Sequence, residues 1–290
     1  MKIENLLRVL MASHYTAQVE CPPKLTTRGG IMLVAPPGSL KTAILKAALK
    51  SHVGALGLSD LNVQGLGRLR HSLSTGKITT LMFYEYSKLY KRDADTASNL
   101  EGLISALVDE SYDKLAFDVL EAHTLPCSAL VMGAMVPSFY ERRLRDWESG
   151  GFARRFIWCM YRLDNPHAIS NSIAKWEELA ITQGVRFQVP SSTIPYTVTH
   201  KEAKQIHHWL KDNHGLETPA VLLQKVASVL RWENQAMQSR DDTMEVLQDF
   251  SESLRVHGAR LTMTDEMPIS APARKITAVK SKGKGIGTAV

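Results

Sequence analysis

Residues 30 to 42 read Gly30-Ile31-Met32-Leu33-Val34-Ala35-Pro36-Pro37-Gly38-Ser39-Leu40-Lys41-Thr42. Four consecutive apolar residues, Ile31 to Val34, suit a strand buried on both faces, as strands of parallel sheets are. A Pro-Pro-Gly turn follows, and Ala43-Ile44-Leu45-Lys46-Ala47-Ala48-Leu49 then continues as a strong helix former. Strand, tight loop, Lys-Thr and helix is the order demanded by the phosphate-loop pattern G-x-x-x-x-G-K-[ST]. In that pattern backbone N–H groups and the positive end of a helix surround the phosphates. Pro37, Gly38, Ser39, Leu40, Lys41, Thr42 and Ala43 are then the nucleotide-binding segment, with Lys41 reaching the β/γ-phosphates and Thr42 ligating Mg²⁺. Ala35 stands at the first glycine position and Leu40 at the second. The competing reading is a plain βα turn that carries a surface lysine.

Three more apolar runs follow the loop. Ile78 to Tyr84 is β-branched and apolar and ends in Glu85-Tyr86-Ser87; Ala129 to Val136 stops at Pro137; Arg155 to Tyr161 closes the region. Between them, Leu66 to Leu73 reads as a short helix, Ser98 to Val108 has apolar residues at helical spacing, and Tyr140 to Trp147 reads as a charged helix. Strands separated by helices predict an α/β fold with a mostly parallel sheet covered on both faces.

Two further clusters fit phosphoryl chemistry. A nucleotide hydrolase of this kind needs an acid at the end of a strand beside the loop, to order Mg²⁺-bound water and orient the attacking water. Glu85 is the acid in that position, and Tyr84 stands where a metal-binding aspartate would precede it. A solvated strand-end glutamate is the alternative. In Gly150-Gly151-Phe152-Ala153-Arg154-Arg155-Phe156 an arginine on a Gly-hinged turn can stabilise charge developing on a transferring phosphoryl group, often from a neighbouring subunit. The same pair could instead solvate the turn or pair with Asp146 and Glu148.

The order of Ala-Pro-Pro-Gly-Ser-Leu-Lys-Thr, the apolar strand with Glu85, the strand Leu130 to Pro137 and Gly151-Phe152-Ala153-Arg154-Arg155-Phe156 resembles the ATPase core of the AAA+ class. It is especially similar to MCM-like and phage or plasmid primase-helicase ATPases. The resemblance covers about residues 28 to 165. It implies a P-loop NTPase fold, ATP and Mg²⁺ as cofactors, Lys41 and Thr42 on phosphate and metal, Glu85 polarising water, and Arg155 as a trans-acting finger with Arg154 as fallback. It further implies an oligomeric ring acting on DNA, single-stranded or at a replication fork, as a helicase, loader or replication motor. Leu40, Tyr84 and Val136, the last at a polar sensor position, depart from the family pattern. Those departures favour slow hydrolysis or a nucleotide-dependent scaffold. A small-molecule phosphotransferase would use the same loop but needs a second acidic base.

The 290 residues are 44% hydrophobic and 22% charged, an ordinary globular composition with no 18-residue apolar run to cross a membrane. Residues 1–27 are read as an N-terminal helical segment with an amphipathic helix, 28–165 as the ATPase core and 166–199 as an extended connection. Residues 200–258 follow as a helical subdomain, with helices near 201–210, 220–232 and 241–256, and 259–290 as a disordered basic tail. Cys21, Cys127 and Cys159 are too far apart for a zinc site or a disulfide framework, which fits a reducing cytoplasm. The formal net charge of +6 allows a polyanionic partner. His207 and His208, being neighbours on a helix, point to different sides and do not form a metal motif.

Overall fold

Every residue of Gly30–Val34 is buried, and the physical consequence is a sheet covered on both sides. The computed structural model describes residues 3–22, 25, 27–49, 52–91, 94–109, 127–161, 167, 170–171, 173–175, 192–214, 218–236 and 242–254. In chain order the elements are α1 (Ile3–Tyr15), β1 (Val19–Glu20), β2 (Gly30–Val34), α2 (Lys41–Leu49), β3 (Ala55–Leu58), α3 (Val63–Ser74), β4 (Thr80–Phe83), α4 (Ala94–Asp109), β5 (Leu130–Met135), α5 (Pro137–Ser149) and β6 (Phe156–Met160). There follow β7 (Ile194–Pro195), α6 (His200–His214), α7 (Thr218–Ala236) and α8 (Thr243–Leu254). Five strands form one sheet in the order β3-β4-β5-β2-β6. All its ladders are parallel, which requires long crossovers between strands and here uses helices for them. β1 and β7 form a separate two-residue parallel pair.

Register explains the two faces. Ile31 lies beside Met132 and Ile157, and Leu33 beside Ala134 and Cys159. These side chains join one core with Leu6, Leu10, Ile44 and Leu45 of α1 and α2 and with Leu223, Val226 and Leu247 of α7 and α8. On the opposite face Met32 lies beside Gly133 and Trp158. There Trp147 of α5 stacks on Trp158 with ring centroids 5.3 Å apart, and its indole N–H donates to Glu101 of α4 at 2.8 Å. Such aromatic pairs contribute about 0.5–1.5 kcal/mol beyond the area they bury.

The strands expected near 31–34, 78–84, 129–136 and 155–161 are present, the first extended to Gly30 and the others with trimmed ends. In the five-stranded sheet, β3 is the strand that sequence reading passes over. Its Ala-Leu-Gly-Leu is short, glycine-containing and only half-buried, because it is an edge strand and needs no continuous apolar run. α1 is more enclosed than its amphipathic pattern alone requires. Of its residues only Glu4 is fully exposed, since α2, α7 and α8 enclose it; Asn5 donates to Asp249 at 2.7 Å and Arg8 to Asn234 at 2.8 Å. Most of the expected extended connection at 166–199 and all of the basic tail at 259–290 lie outside the described residues. Among the described residues no helix is long and apolar enough to cross a membrane.

His14, at the end of α1, ties this helix to the sheet. Its Nδ1 lies 2.8 Å from the Thr80 hydroxyl and its Nε2 3.1 Å from the Val53 carbonyl. Burial, assisted by the neighbouring His52, pushes its pKa down to about 4. An unfolded histidine titrates near 6.5, so below that pH the unfolded chain takes up the proton and the folded one resists it. Stability is therefore full above pH 6.5 and is lost as pH falls toward 4. Urea titrations should show a loss of about 2 kcal/mol between pH 7 and pH 5, and His14→Gln should flatten that dependence while lowering stability at pH 7.

Candidate nucleotide-binding site

The chain leaves β2 at its carboxyl end, one strand in from the β6 edge of the sheet, and reverses through Ala35 to Leu40 into α2. Two backbone conformations make the reversal. Gly38 has φ +79°, with nothing within 4 Å of the place a Cβ would occupy. Leu40 has φ +56° and is the one non-glycine residue among the described ones with positive φ. Left-handed backbone costs an ordinary L-residue about 1–2 kcal/mol, and glycine avoids it. The phosphate-loop pattern thus places its second glycine where this backbone is left-handed, and Leu40 adopts the same conformation at a cost. Its partly buried side chain packs against the hydrophobic core, which offsets some of the strain.

The first helical hydrogen bond of α2 runs from the Ile44 N–H to the Leu40 carbonyl at 2.9 Å. The N–H groups of Lys41, Thr42 and Ala43 consequently have no partner within the helix and carry the positive end of its dipole. Lys41 folds back over the loop, and its ammonium donates to the carbonyls of Ala35 and Pro36, both at 2.7 Å. Burial lowers its pKa, and the nearby charge of Glu85 works the other way. Open space above Gly38, free helical N–H groups and a lysine resting on exchangeable carbonyls are a cradle that fits the phosphates of a nucleotide.

β4 delivers the neighbouring edge. The exposed Thr42 hydroxyl faces the Tyr84 carbonyl at 3.4 Å, so the end of β4 lies directly against the start of α2. Glu85 follows in the turn that precedes the 3₁₀ helix Tyr86–Lys91 and is exposed; its carboxylate accepts from Ser87 at 3.3 Å and pairs with Lys88 at 3.3 Å. Tyr84 is folded away from this edge. Its phenol oxygen would lie only 2.1 Å from a Cβ at Gly57 in β3, so glycine there is what lets the ring lie across the strand. Lys46 of α2 stands 5.1 Å above the same ring. Thr42 and Glu85 are the oxygen donors at this edge, and Mg²⁺, which commonly keeps several waters and binds through one or two protein groups plus phosphate, fits such a sparse set. Among the described residues no group of three or more His, Cys, Asp or Glu side chains could hold a metal.

Tyr161 is a member of the site that sequence reading missed. It follows β6, is buried, and donates its hydroxyl to the Ser39 carbonyl at 2.9 Å. Burial pushes its phenol well above the ordinary range, so it stays a neutral donor that pins the loop from the side. Only the parallel pairing of β6 with β2 brings these residues, far apart in sequence, together.

The two arginines lie elsewhere. Phe156 pairs with Gly30 and Met160 with Val34, so Arg154 and Arg155 sit at the amino end of the sheet, about 13 Å of strand away from the loop. Arg155 is enclosed: its Nε donates to Asp109 at 2.5 Å and its guanidinium also to the Gly151 carbonyl at 2.5 Å. Arg154 is exposed. Val136 lies at the carboxyl end of β5 and precedes α5 without any side-chain cap, Pro137 opening that helix.

No family model matches this chain, and no curated protein matches it. Among solved structures it is similar to one described as SCCmec type IV Cch, an active helicase. That pair is 10% identical with a TM-score of 0.43, over 86% of this chain and 47% of the other. It is also similar to a JCV helicase solved with a bound small molecule, at 14% identity and a TM-score of 0.29, over 86% of this chain and 66% of the other. The chain thus spans about half the length of the first. The architecture described above, an α/β chain with a five-stranded parallel sheet, is read from this chain's own strands and helices.

Proposed function

We propose that this chain is an ATP-binding, AAA+-like ATPase that acts on DNA as a helicase, loader or replication motor within an oligomeric ring. The observation that carries the reading is the loop. Left-handed backbone at Gly38 and Leu40 turns Lys41 and the start of α2 onto one cradle, with Glu85 at the same sheet edge. Bound ATP would be held by the N–H groups of Lys41, Thr42 and Ala43 and by the loop Pro37 to Leu40. Lys41 would exchange its two carbonyl partners for phosphate oxygens. Thr42 would share Mg²⁺, which neutralises charge on the β- and γ-phosphates, and Glu85 would orient the attacking water. Tyr84 takes the metal aspartate's place with a ring packed over Gly57, which supports a slow hydrolase and keeps a nucleotide-driven scaffold as the second reading.

The arginine pair lies at the opposite end of the sheet from its own loop, which supports a role toward another subunit's nucleotide. Arg154, being exposed, suits the trans-acting finger, and Arg155, bound to Asp109, suits a support for the turn that presents it.

Lys41→Ala should abolish binding of a fluorescent ATP analogue. Glu85→Gln should retain binding but reduce phosphate release by about 10²-fold or more, in line with losses for groups acting in proton transfer. Equal hydrolysis in wild type and Glu85→Gln would remove Glu85 from the reaction and favour the scaffold.

The arginines should separate by phenotype. Arg154→Ala should lower hydrolysis by about 10³-fold with an unchanged thermal midpoint, and mixing it with Lys41→Ala subunits should restore some activity. Arg155→Ala should instead cost about 2 kcal/mol of stability, as expected for loss of a charge-assisted hydrogen bond. Retained stability in Arg155→Ala, with lost hydrolysis, would return the finger to Arg155.

A further inference from the structure

Beside the nucleotide edge, between the carboxyl ends of β4 and β5, lies a groove of about 420 Å³. Ser87, Tyr90, Val136 and Phe139 form its floor, and Lys91, Arg142 and Arg143 form its rim. We propose that this groove binds the phosphodiester backbone of a DNA strand, with Lys91, Arg142 and Arg143 on its phosphates. The assignment rests on the DNA-directed reading above and specifies which surface of the chain carries it.

Charge is the first argument. The rim has three cations, and no carboxylate is among the described residues that line the groove. Lys88 is nearby but is already paired with Glu85, so the three rim groups are what an incoming anion meets. The second argument is preorganisation. Arg142 is anchored by its Nε, which donates to the Ser138 carbonyl at 3.1 Å, and this leaves its terminal nitrogens in the fork geometry that matches phosphate oxygens. Arg143 stands over the Tyr90 ring, 4.4 Å from its centroid, and among the described residues its carboxylate contact is Asp146 at 3.4 Å, a side chain 66% exposed, a pair that solvent weakens. Unstacked bases rest on aromatic rings and guanidinium planes, and Tyr90 with the two arginines supplies both kinds of group in the groove.

Position supplies the third argument. Lys91 and Arg142 are exposed and come from different elements across the groove, so a strand lying along it meets both. At its inner end Ser87 hydrogen-bonds Glu85, which connects anything held in the groove to the carboxylate at the nucleotide edge. A strand bound there would act on the Ser87–Glu85 contact, a direct route by which DNA alters hydrolysis.

The test is fluorescence anisotropy of the full chain with a labelled single-stranded oligothymidylate across a salt series, with a fluorescent ATP analogue measured in parallel. Lys91→Ala combined with Arg142→Ala should weaken oligonucleotide binding by about 10-fold and reduce the salt slope by about 1.4, two phosphate contacts at about 0.7 each for single strands. ATP-analogue affinity should stay unchanged. A control pair of exposed cations outside the groove, Arg68→Ala with Lys77→Ala, should leave the slope near that of wild type. Equal loss in the control pair would show general charge attraction and overturn the groove. An unchanged slope in the groove variant, with wild-type binding intact, would overturn the groove but leave the DNA reading standing. Parallel loss of ATP-analogue binding would assign the groove to nucleotide phosphates and overturn it. Absence of oligonucleotide binding by wild type would overturn both groove and DNA partner, while ATP-analogue binding would still stand or fall by itself.

Discussion

Burial of Gly30–Val34 on both faces is the constraint on which the rest of the architecture depends. A strand with no polar face must have helices above and below it and hydrogen-bonded neighbours on each side. Here the neighbours are β5 and β6, both parallel to it. Parallel pairing then sends every crossover through a helix and gathers the strand ends at one edge, where open α/β sheets place their ligands. The loop after β2, Glu85 after β4, Val136 after β5 and Tyr161 after β6 are neighbours for that reason. The same rule puts Arg154 and Arg155, which precede β6, at the far edge.

At that edge the loop after β2 is held in a shape its sequence does not favour. Leu40 keeps a left-handed backbone that glycine would take without strain, and three restraints maintain it: its own packing, the Tyr161 hydroxyl on Ser39, and the Lys41 ammonium on two loop carbonyls. Strain concentrated at a ligand-facing turn is commonly part of the function it serves. The placement of Tyr84 has an equally local cause. Gly57 lacks the side chain that would collide with the ring, so β3 and β4 together accommodate an aromatic beside Glu85.

Periodicity and composition were sufficient for the strongly apolar elements. β2, β4, β5 and β6 were legible because a strand buried on both faces must be apolar throughout, and α4, α7 and α8 because their core-facing residues recur every three or four positions. β3 was illegible because an edge strand of four residues needs no such run. α1 was legible as a helix but not as an enclosed one, since its few polar groups, Asn5, Arg8 and His14, have partners on α8, α7 and the sheet that no local pattern reveals.

The site divides along the same line. Local order alone determined the strand, tight loop and helix of residues 30 to 49, because Pro-Pro-Gly, Lys41-Thr42 and the helix after them are contiguous and their geometry is a matter of backbone conformation over a few residues. The strand-end position of Glu85 was likewise a local property. Tertiary structure alone decided that Tyr161 braces the loop, that Tyr84 lies over Gly57, that Arg155 is tied to Asp109 while Arg154 is exposed, and that Lys91, Arg142 and Arg143 share a groove. Each of these depends on which strands pair and in what register. Those are long-range choices, set by the summed burial of many side chains, and no short stretch of sequence records them.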